Sequence, residues 1–346
     1  MLKRTAIAFL LSLAFGLAGL YLLVGEAVFH PETYQAQNFG VPLVALIVVA
    51  FLAKWFSPAV RVRVLCRGQK IALPYRSAVL VHLVAMFVAA LAPQNTGFGP
   101  ATVAALSRLG VPIGRGIGVA VQVVVLDLIF FAWAVPVSIG YLVYSDTLKL
   151  PPGARVVAFT TGCLAILAAA ALSLRPQLVV GLILTLARWQ LMARFASRLR
   201  KVAHDYYRSA RAFLKMPASY WLTLHLATAV GWFGGFVLFW LLLKLYSVDT
   251  GLLATLAILS SITLVSHFVP TPGGSGFMEA AVGFSIGANP AGRVAAALLV
   301  WRLASFYVVY LLGPPAGWLL YQSRPVAAAG KTDGDASTAP GRTGSF

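Results

Sequence analysis

Three ionisable residues stand in stretches of sequence that are otherwise almost wholly apolar. Glu279 comes three residues after the segment Pro270-Thr-Pro-Gly-Gly-Ser-Gly276, Arg302 lies within the run Arg293–Tyr321, and Asp127 is the one acid of the run Ile117–Tyr144. A charge in hydrocarbon costs at least a few kcal/mol unless paired, so each is a candidate for function by default. Glu279 is also placed to complement the positive end of the helix it opens and to cap its amides. Arg302 needs an acceptor, for which Glu279, Asp127 or a lipid phosphate would serve. Asp127 suits a proton relay or the neutralisation of a buried arginine. Gly97, Gly99, Gly273, Gly274 and Gly276 permit positive φ and a close approach of backbone to ligand. Exposed amides before a helix N-terminus form a natural anion site. The turns match neither a Walker loop nor a dinucleotide fingerprint. His267, three residues before Pro270, is the histidine placed to titrate near neutrality. Arg115 and Arg293 are expected to snorkel at the membrane interface, with headgroup phosphate as a second partner. With no HExxH motif, no paired cysteines and no ligand spacing among His82, His225 and His267, no metal or cofactor is expected.

These residues need long apolar elements to position them. The chain has 346 residues, 60% hydrophobic and 10% charged, with 27 Lys+Arg against 9 Asp+Glu and a formal net charge of +18. Its mean hydropathy is +0.86 and its pI about 10.4. A soluble domain carries about 25% charged residues. This composition excludes a soluble enzyme, a disordered regulator and a fibrous repeat. The high pI reads as membrane electrostatics, and no nucleic-acid partner is expected. Cys66 and Cys163 are too far apart in sequence to suggest a disulfide framework.

Runs of roughly 20 apolar residues mark spans. They fall at Thr5–Val28, Val41–Phe56, Ile117–Tyr144, Arg155–Leu174, Ser219–Tyr246 and Arg293–Tyr321. The first is longer than a signal-peptide core and is expected to be retained. Lys and Arg collect on the cytoplasmic side. They cluster at Lys3 and Arg4, from Lys54 to Arg76, and from Arg175 to Lys215, whereas Glu26–Gly40 and Ser247–Thr250 have none. Both termini are therefore expected inside. The alternation then fails at Ser77–Ala92, because basic residues flank it on both sides. A re-entrant hairpin restores it, turning at Pro93-Gln-Asn-Thr-Gly-Phe-Gly-Pro100 and returning through Leu109. A second hairpin, Leu252–Val269 followed by the Pro270–Gly276 turn and a short helix to Gly287, must enter from outside.

A shift of 177 residues superimposes Pro93 on Pro270, Gly97 on Gly274, Gly99 on Gly276 and Gly110 on Gly287. One inserted residue then aligns Pro112 with Pro290, Gly114 with Gly292 and Arg115 with Arg293. The expectation is an all-α integral membrane protein of about six full spans plus two re-entrant helical hairpins in an inverted repeat. Its membrane domain would cover 1–322, with halves at about 1–145 and 154–322. A basic amphipathic segment at 176–215, with Leu191, Phe195, Leu199 and Phe213 interleaved, is expected to lie on anionic lipid. Residues 323–346 read as a disordered tail.

Pro270-Thr-Pro-Gly-Gly-Ser-Gly-Phe-Met-Glu-Ala280, followed by Ala295-Ala-Ala-Leu-Leu-Val-Trp-Arg302, resembles the transmembrane-region family of lysylphosphatidylglycerol synthase, the flippase-like integral membrane proteins. The resemblance covers residues 1 to about 322 and implies movement of lipids between leaflets, near isoprenoid, hopanoid or glycolipid pathways. The first half departs from the family pattern. Where relatives carry an acid and an arginine after the first turn, this chain reads Gly99-Pro-Ala-Thr-Val-Ala-Ala105. Of the acids around the following span only Asp127 remains, with Gln122 nearby. Beyond Arg324 the sequence is a short Ala/Gly/Thr/Ser-rich tail, so no aminoacyl transfer is expected.

The function expected is translocation of an anionic or isoprenoid-type lipid, or a lipid-linked substrate, across the inner membrane by alternating access. Glu279 and Arg302 would then sit in a polar cavity between the two hairpins. The alternatives are a membrane enzyme of a glycolipid, isoprenoid or hopanoid pathway, for which the acids are sparse, and a non-catalytic partner of such enzymes. Membrane lipids are the expected partners, with a homo-oligomer or pathway enzymes as further possibilities.

Overall fold

A computed structural model describes residues 2–26, 30–92, 95–145, 196–287 and 291–325, together with scattered positions between 160 and 185. The span at Arg155–Leu174, most of 176–195, Pro93, Pro290 and the tail from 326 lie outside the described residues.

The described chain is helical and contains no strand. In order, the helices are α1 (Leu2–Val24), α2 (Val41–Gly68), α3 (Tyr75–Leu91), α4 (Phe98–Arg108), α5 (Ile113–Tyr144), α6 (Ala196–Leu214), α7 (Ala218–Leu245), α8 (Leu252–Ser266), α9 (Phe277–Ile286), α10 (Ala291–Arg302) and α11 (Val308–Gln322). A π-helical turn, Leu303–Tyr307, joins the last two into one rod. Four described helices are long and apolar enough to cross a membrane: Val41–Gly68, Ile113–Tyr144, Ala218–Leu245 and Gly292–Gln322. At 1.5 Å per residue, α3 and α8 reach only about 25 Å and α4 and α9 about 15 Å, short of the roughly 30 Å hydrocarbon core.

Apolar side chains point outward along the long helices, among them Val49 and Leu52 of α2, Val137 of α5, Leu222 of α7 and Leu311 of α11. That exposure suits hydrocarbon as solvent, where burial of polar backbone rather than of leucine sets the fold. Helices instead approach through small residues. A Cβ at Gly234 of α7 would lie 2.9 Å from the backbone nitrogen of Lys54, so α2 and α7 meet nearly backbone to backbone. A Cβ at Gly114 of α5 would lie 2.5 Å from Val202 O, and one at Gly118 would overlap the Ser209 hydroxyl, so α6 docks on α5 along Gly114-x-x-x-Gly118.

The helix order recurs with the 177-residue spacing. α2 maps onto α7 at both ends, and α3, α4 and the start of α5 map onto α8, α9 and the start of α10 within two residues, once the inserted residue is counted. Partners are exchanged between the sets: α3 packs on α11, and α8 packs on α5. The two loops without Lys or Arg meet at one end, where Gln37 N and Asn38 N both donate to Leu245 O at 3.1 Å. The turn Pro31–Tyr34 touches α10 there. At the other end Arg108, closing α4, donates to Tyr321 O near the end of α11, and Gly68, closing α2, abuts Met216.

Three expectations are corrected. The second apolar stretch does not stop at Phe56: α2 runs to Gly68 with Pro58 buried inside it, so Lys54 and Arg61 belong to the helix and not to a basic loop. The apolar face of the basic segment is covered by protein where it is described. Tyr206, Ala210 and Phe213 of α6 are buried, and Phe213 stacks on Trp221 at a 4.6 Å centroid distance. Gly97 and Gly99 do not use positive φ either. Gly97 has φ −70°, and its missing side chain makes room for the Val88 carbonyl, whereas the left-handed residue of that turn is Asn95 at φ 55°.

Candidate functional site

Among the described residues, two polar centres that contain ion pairs lie within the apolar body. The first is the turn between α8 and α9. Gly273, Gly274 and Gly276 there have φ of 60°, 65° and 86°, which excludes side chains from the path. Glu279, one turn into α9, accepts from Gly276 N through Oε2 at 2.7 Å and from Arg302 Nε through Oε1 at 2.6 Å. The guanidinium also donates through Nη2 to Ser275 Oγ at 2.8 Å and to Gly273 O at 3.2 Å. The side chains are 1% and 6% exposed, so the pair is dry. Phe306 and Tyr307 of the π-helical turn cover the guanidinium, the nearer centroid lying 4.7 Å from Cζ. From the other side α1 closes over it: a Cβ at Gly16 would lie 3.3 Å from Glu279 Oε1, and one at Gly19 would lie 2.5 Å from Gly276 O. Carboxylate and guanidinium thus satisfy each other and clasp the turn to the last helix. The capping role and the buried-pair role of Glu279 are one arrangement.

The second centre is a cavity of about 340 Å³. Its wall is drawn from α2 (Lys54, Trp55, Pro58, Arg61), the first hairpin (His82, Met86, Asn95, Phe98), α5 (Val124, Asp127, Phe131), α7 (Thr228, Gly231, Trp232) and the second hairpin (Leu264, His267, Phe268). It therefore lies between the hairpins, as sequence reasoning expects. Of the candidates read from sequence, Asp127 and His267 line it, and Glu279 and Arg302 do not. Asp127 pairs with Arg61 and not with Arg302, and its Oδ1 also accepts from Trp232 Nε1 at 2.8 Å. His267 has its Nδ1 2.7 Å from Thr263 O in its own helix, and its ring lies edge-on to Phe131 and Trp232. Arg115 and Arg293 are half-buried near the N-termini of α5 and α10, and neither is among the residues lining the cavity.

Lys54, Arg61, Trp55 and Trp232 line the cavity and are candidates that sequence reasoning passes over. The signal was present: Lys54 and Arg61 are seven residues apart, two full turns, and share one face of α2. Arg61 is 5% exposed, and its Nε has no partner among the described residues. The ammonium of Lys54 lies 5.3 Å from the Trp55 ring centroid and has no hydrogen-bond or ion-pair partner among them. The cavity can thus hold an anion against two cations on one helix, with a carboxylate fixing the orientation of one of them. Among the described residues no group of three His, Cys, Asp or Glu side chains is placed to hold a metal.

Two comparisons bear on this arrangement. Residues 6–313 match the family model described as Lysylphosphatidylglycerol synthase TM region. A UPF0104 membrane protein of Archaeoglobus fulgidus is 24% identical over 280 residues, which cover 78% of this chain and 84% of the relative.

Proposed function

This chain belongs to the family of the lysylphosphatidylglycerol synthase TM region, and from that premise we propose that it is a lipid translocase of the inner membrane. The observation that carries this reading is the cavity between two helical hairpins with Lys54 and Arg61 in its wall. Non-helical backbone at membrane depth is tolerated where protein buries it or where it lines a wet cavity, and interrupted helices at matching places in two halves mark transport sites. The recurrence of α2–α5 as α7–α10, the exchange of partners and the gathering of unlike loops at opposite ends support two inverted halves. In this reading the first hairpin opens toward the basic, cytoplasmic side and the second toward the other. A headgroup held by α2 crosses as the halves rock, while its tails stay in hydrocarbon. Glu279 and Arg302 hold the second hairpin in the shape that closes the cavity.

The test is transfer of a fluorescent-tailed anionic phospholipid between leaflets of proteoliposomes, read by dithionite quenching. The wild-type chain is expected to exchange the label, Lys54→Ala and Arg61→Ala to lose exchange, and Glu279→Gln to slow it. Exchange at the protein-free rate with wild-type protein would refute the proposal.

A further inference from the structure

The charges around the cavity choose among headgroups, and this step rests on the translocase reading. We infer that the cavity takes a compact lipid headgroup with one net negative charge, carried on a phosphate, and rejects a headgroup bearing an aminoacyl cation such as a lysyl ester. Among the described residues two cations and one carboxylate line the cavity, which leaves it at +1 with His82 and His267 neutral. The carboxylate is already committed, because Asp127 holds Arg61 and accepts from Trp232. Lys54 is the charge left over. An ammonium withdrawn from water is costly until an anion meets it, and a phosphodiester oxygen supplies that anion. Arg61 is the second cation of the wall, its side chain 7% exposed and one of its guanidinium nitrogens already given to Asp127.

Lys54 and Arg61 lie about 10 Å apart along the axis of α2 and on one face, a separation that two long side chains close around a single phosphate. The volume of about 340 Å³ holds a phosphoglycerol-sized head and not an oligosaccharide. A lysyl ester would bring two further ammonium groups into a space whose acid is taken, and like charges at close range disfavour binding. Among the described residues the walls offer it no second carboxylate.

Short-chain, water-soluble phosphatidylglycerol, phosphatidylcholine and lysylphosphatidylglycerol are titrated into the full-length detergent-solubilised protein. Binding is followed by tryptophan fluorescence, to which Trp55 and Trp232 in the wall respond. The same three headgroups on fluorescent tails are assayed for exchange in vesicles. Phosphatidylglycerol is expected to bind at least about 10-fold tighter than the other two. Lys54→Met should weaken it by about 10- to 100-fold, the worth of a charge-assisted contact, and narrow the gap to phosphatidylcholine, whose choline cation already offsets its phosphate. Lys54→Arg should keep the preference, and Lys54→Glu should turn it toward the lysyl lipid. Equal binding of all three headgroups, or an unchanged preference in Lys54→Met with an unaltered unfolding midpoint, would overturn the inference. Selective binding without exchange of any lipid would support the headgroup site and remove the translocase reading on which the transport step depends.

Discussion

Removing one member of the Glu279–Arg302 pair leaves the other as a dry, uncompensated charge. In Glu279→Gln the guanidinium keeps its bonds to Ser275 Oγ and Gly273 O but loses its counter-ion. In Arg302→Met the carboxylate keeps only Gly276 N among its described donors, and the Gly273 carbonyl and Ser275 hydroxyl each lose the guanidinium donor. Breaking one side of a buried pair typically costs about 3–5 kcal/mol, because desolvation is no longer repaid. With the pair this closely covered by Phe306, Tyr307 and α1, each single variant is expected near the middle of that range. The double variant removes both charges together, so it should cost about the same as one single. The coupling is then about 4 kcal/mol, above the roughly 0.5–3 kcal/mol usual for contacting residues, as expected for a dry charge pair. Equilibrium unfolding in mixed micelles with increasing SDS, followed by tryptophan fluorescence, gives all three values. Single variants within about 1 kcal/mol of wild type, or a double variant equal to the sum of the singles, would show that water or lipid reaches the pair and that the clasp does not hold the turn.

Gly118→Leu should push α6 off α5, since even a Cβ there overlaps the Ser209 hydroxyl; limited proteolysis would then cut within 196–214 faster than in the wild-type chain. Trp55→Phe keeps the ring beside Lys54 and removes the 2.9 Å bond to Ala304 O in the π-helical turn; headgroup binding should persist while leaflet exchange slows, and equal loss of both would refute the separation. Arg61→Met should be rescued in part by Asp127→Asn, because the double variant leaves no buried charge of that pair; additive losses in unfolding midpoint would show that Asp127 is not held by Arg61 alone. The exposed Asp249 carboxyl is held below its ordinary range by the hydrogen bond from Lys244. Its folded pKa is depressed, so any stabilisation is present above the unfolded value of about 3.9 and is lost as pH falls through the lower folded one. Asp249→Asn should leave the unfolding midpoint at pH 7 unchanged within error, as expected for an exposed pair screened by water.

The hairpins and long helices were legible because backbone chemistry in a membrane admits few alternatives. Gly110 and Gly287, both at positive φ, follow α4 and α9 closely, and the same spacing carries the helix starts on either side. Glu279 and Arg302 were legible for the same reason, as charges where an unpaired charge is too costly to keep. The end of α2 was not. Arg61, Arg63 and Arg67 follow one another within seven residues, and as text all three resemble a cytoplasmic flank. Only the turn of the helix separates them: Arg61 falls on the face of Lys54, Pro58 and the cavity, and Arg63 and Arg67 on the face that lines the surface cleft with Lys70. A count of charges per loop discards the angle that makes the distinction. The docking of α6 was missed for a related reason, since Gly114 reads only as a position of the repeat and Gly118 as one more small residue of an apolar run, whereas together they form a packing seam.

The clasp and the cavity are also mechanically joined, which neither reveals alone. Trp55 lines the cavity and donates to Ala304 O, two residues beyond Arg302. Arg302 in turn holds Gly273 and Ser275 at the tip of the second hairpin, of which His267 and Phe268 reach the cavity wall. A π-helical turn shifts the backbone bonding pattern by a residue and tends to mark places where helices carry function. Here it stands between the guanidinium and the tryptophan-bonded carbonyl. On the proposed translocase reading, a headgroup that drew Lys54 and Trp55 toward it would pull on the same short segment that anchors the hairpin, and so would link filling of the cavity to the Glu279–Arg302 pair.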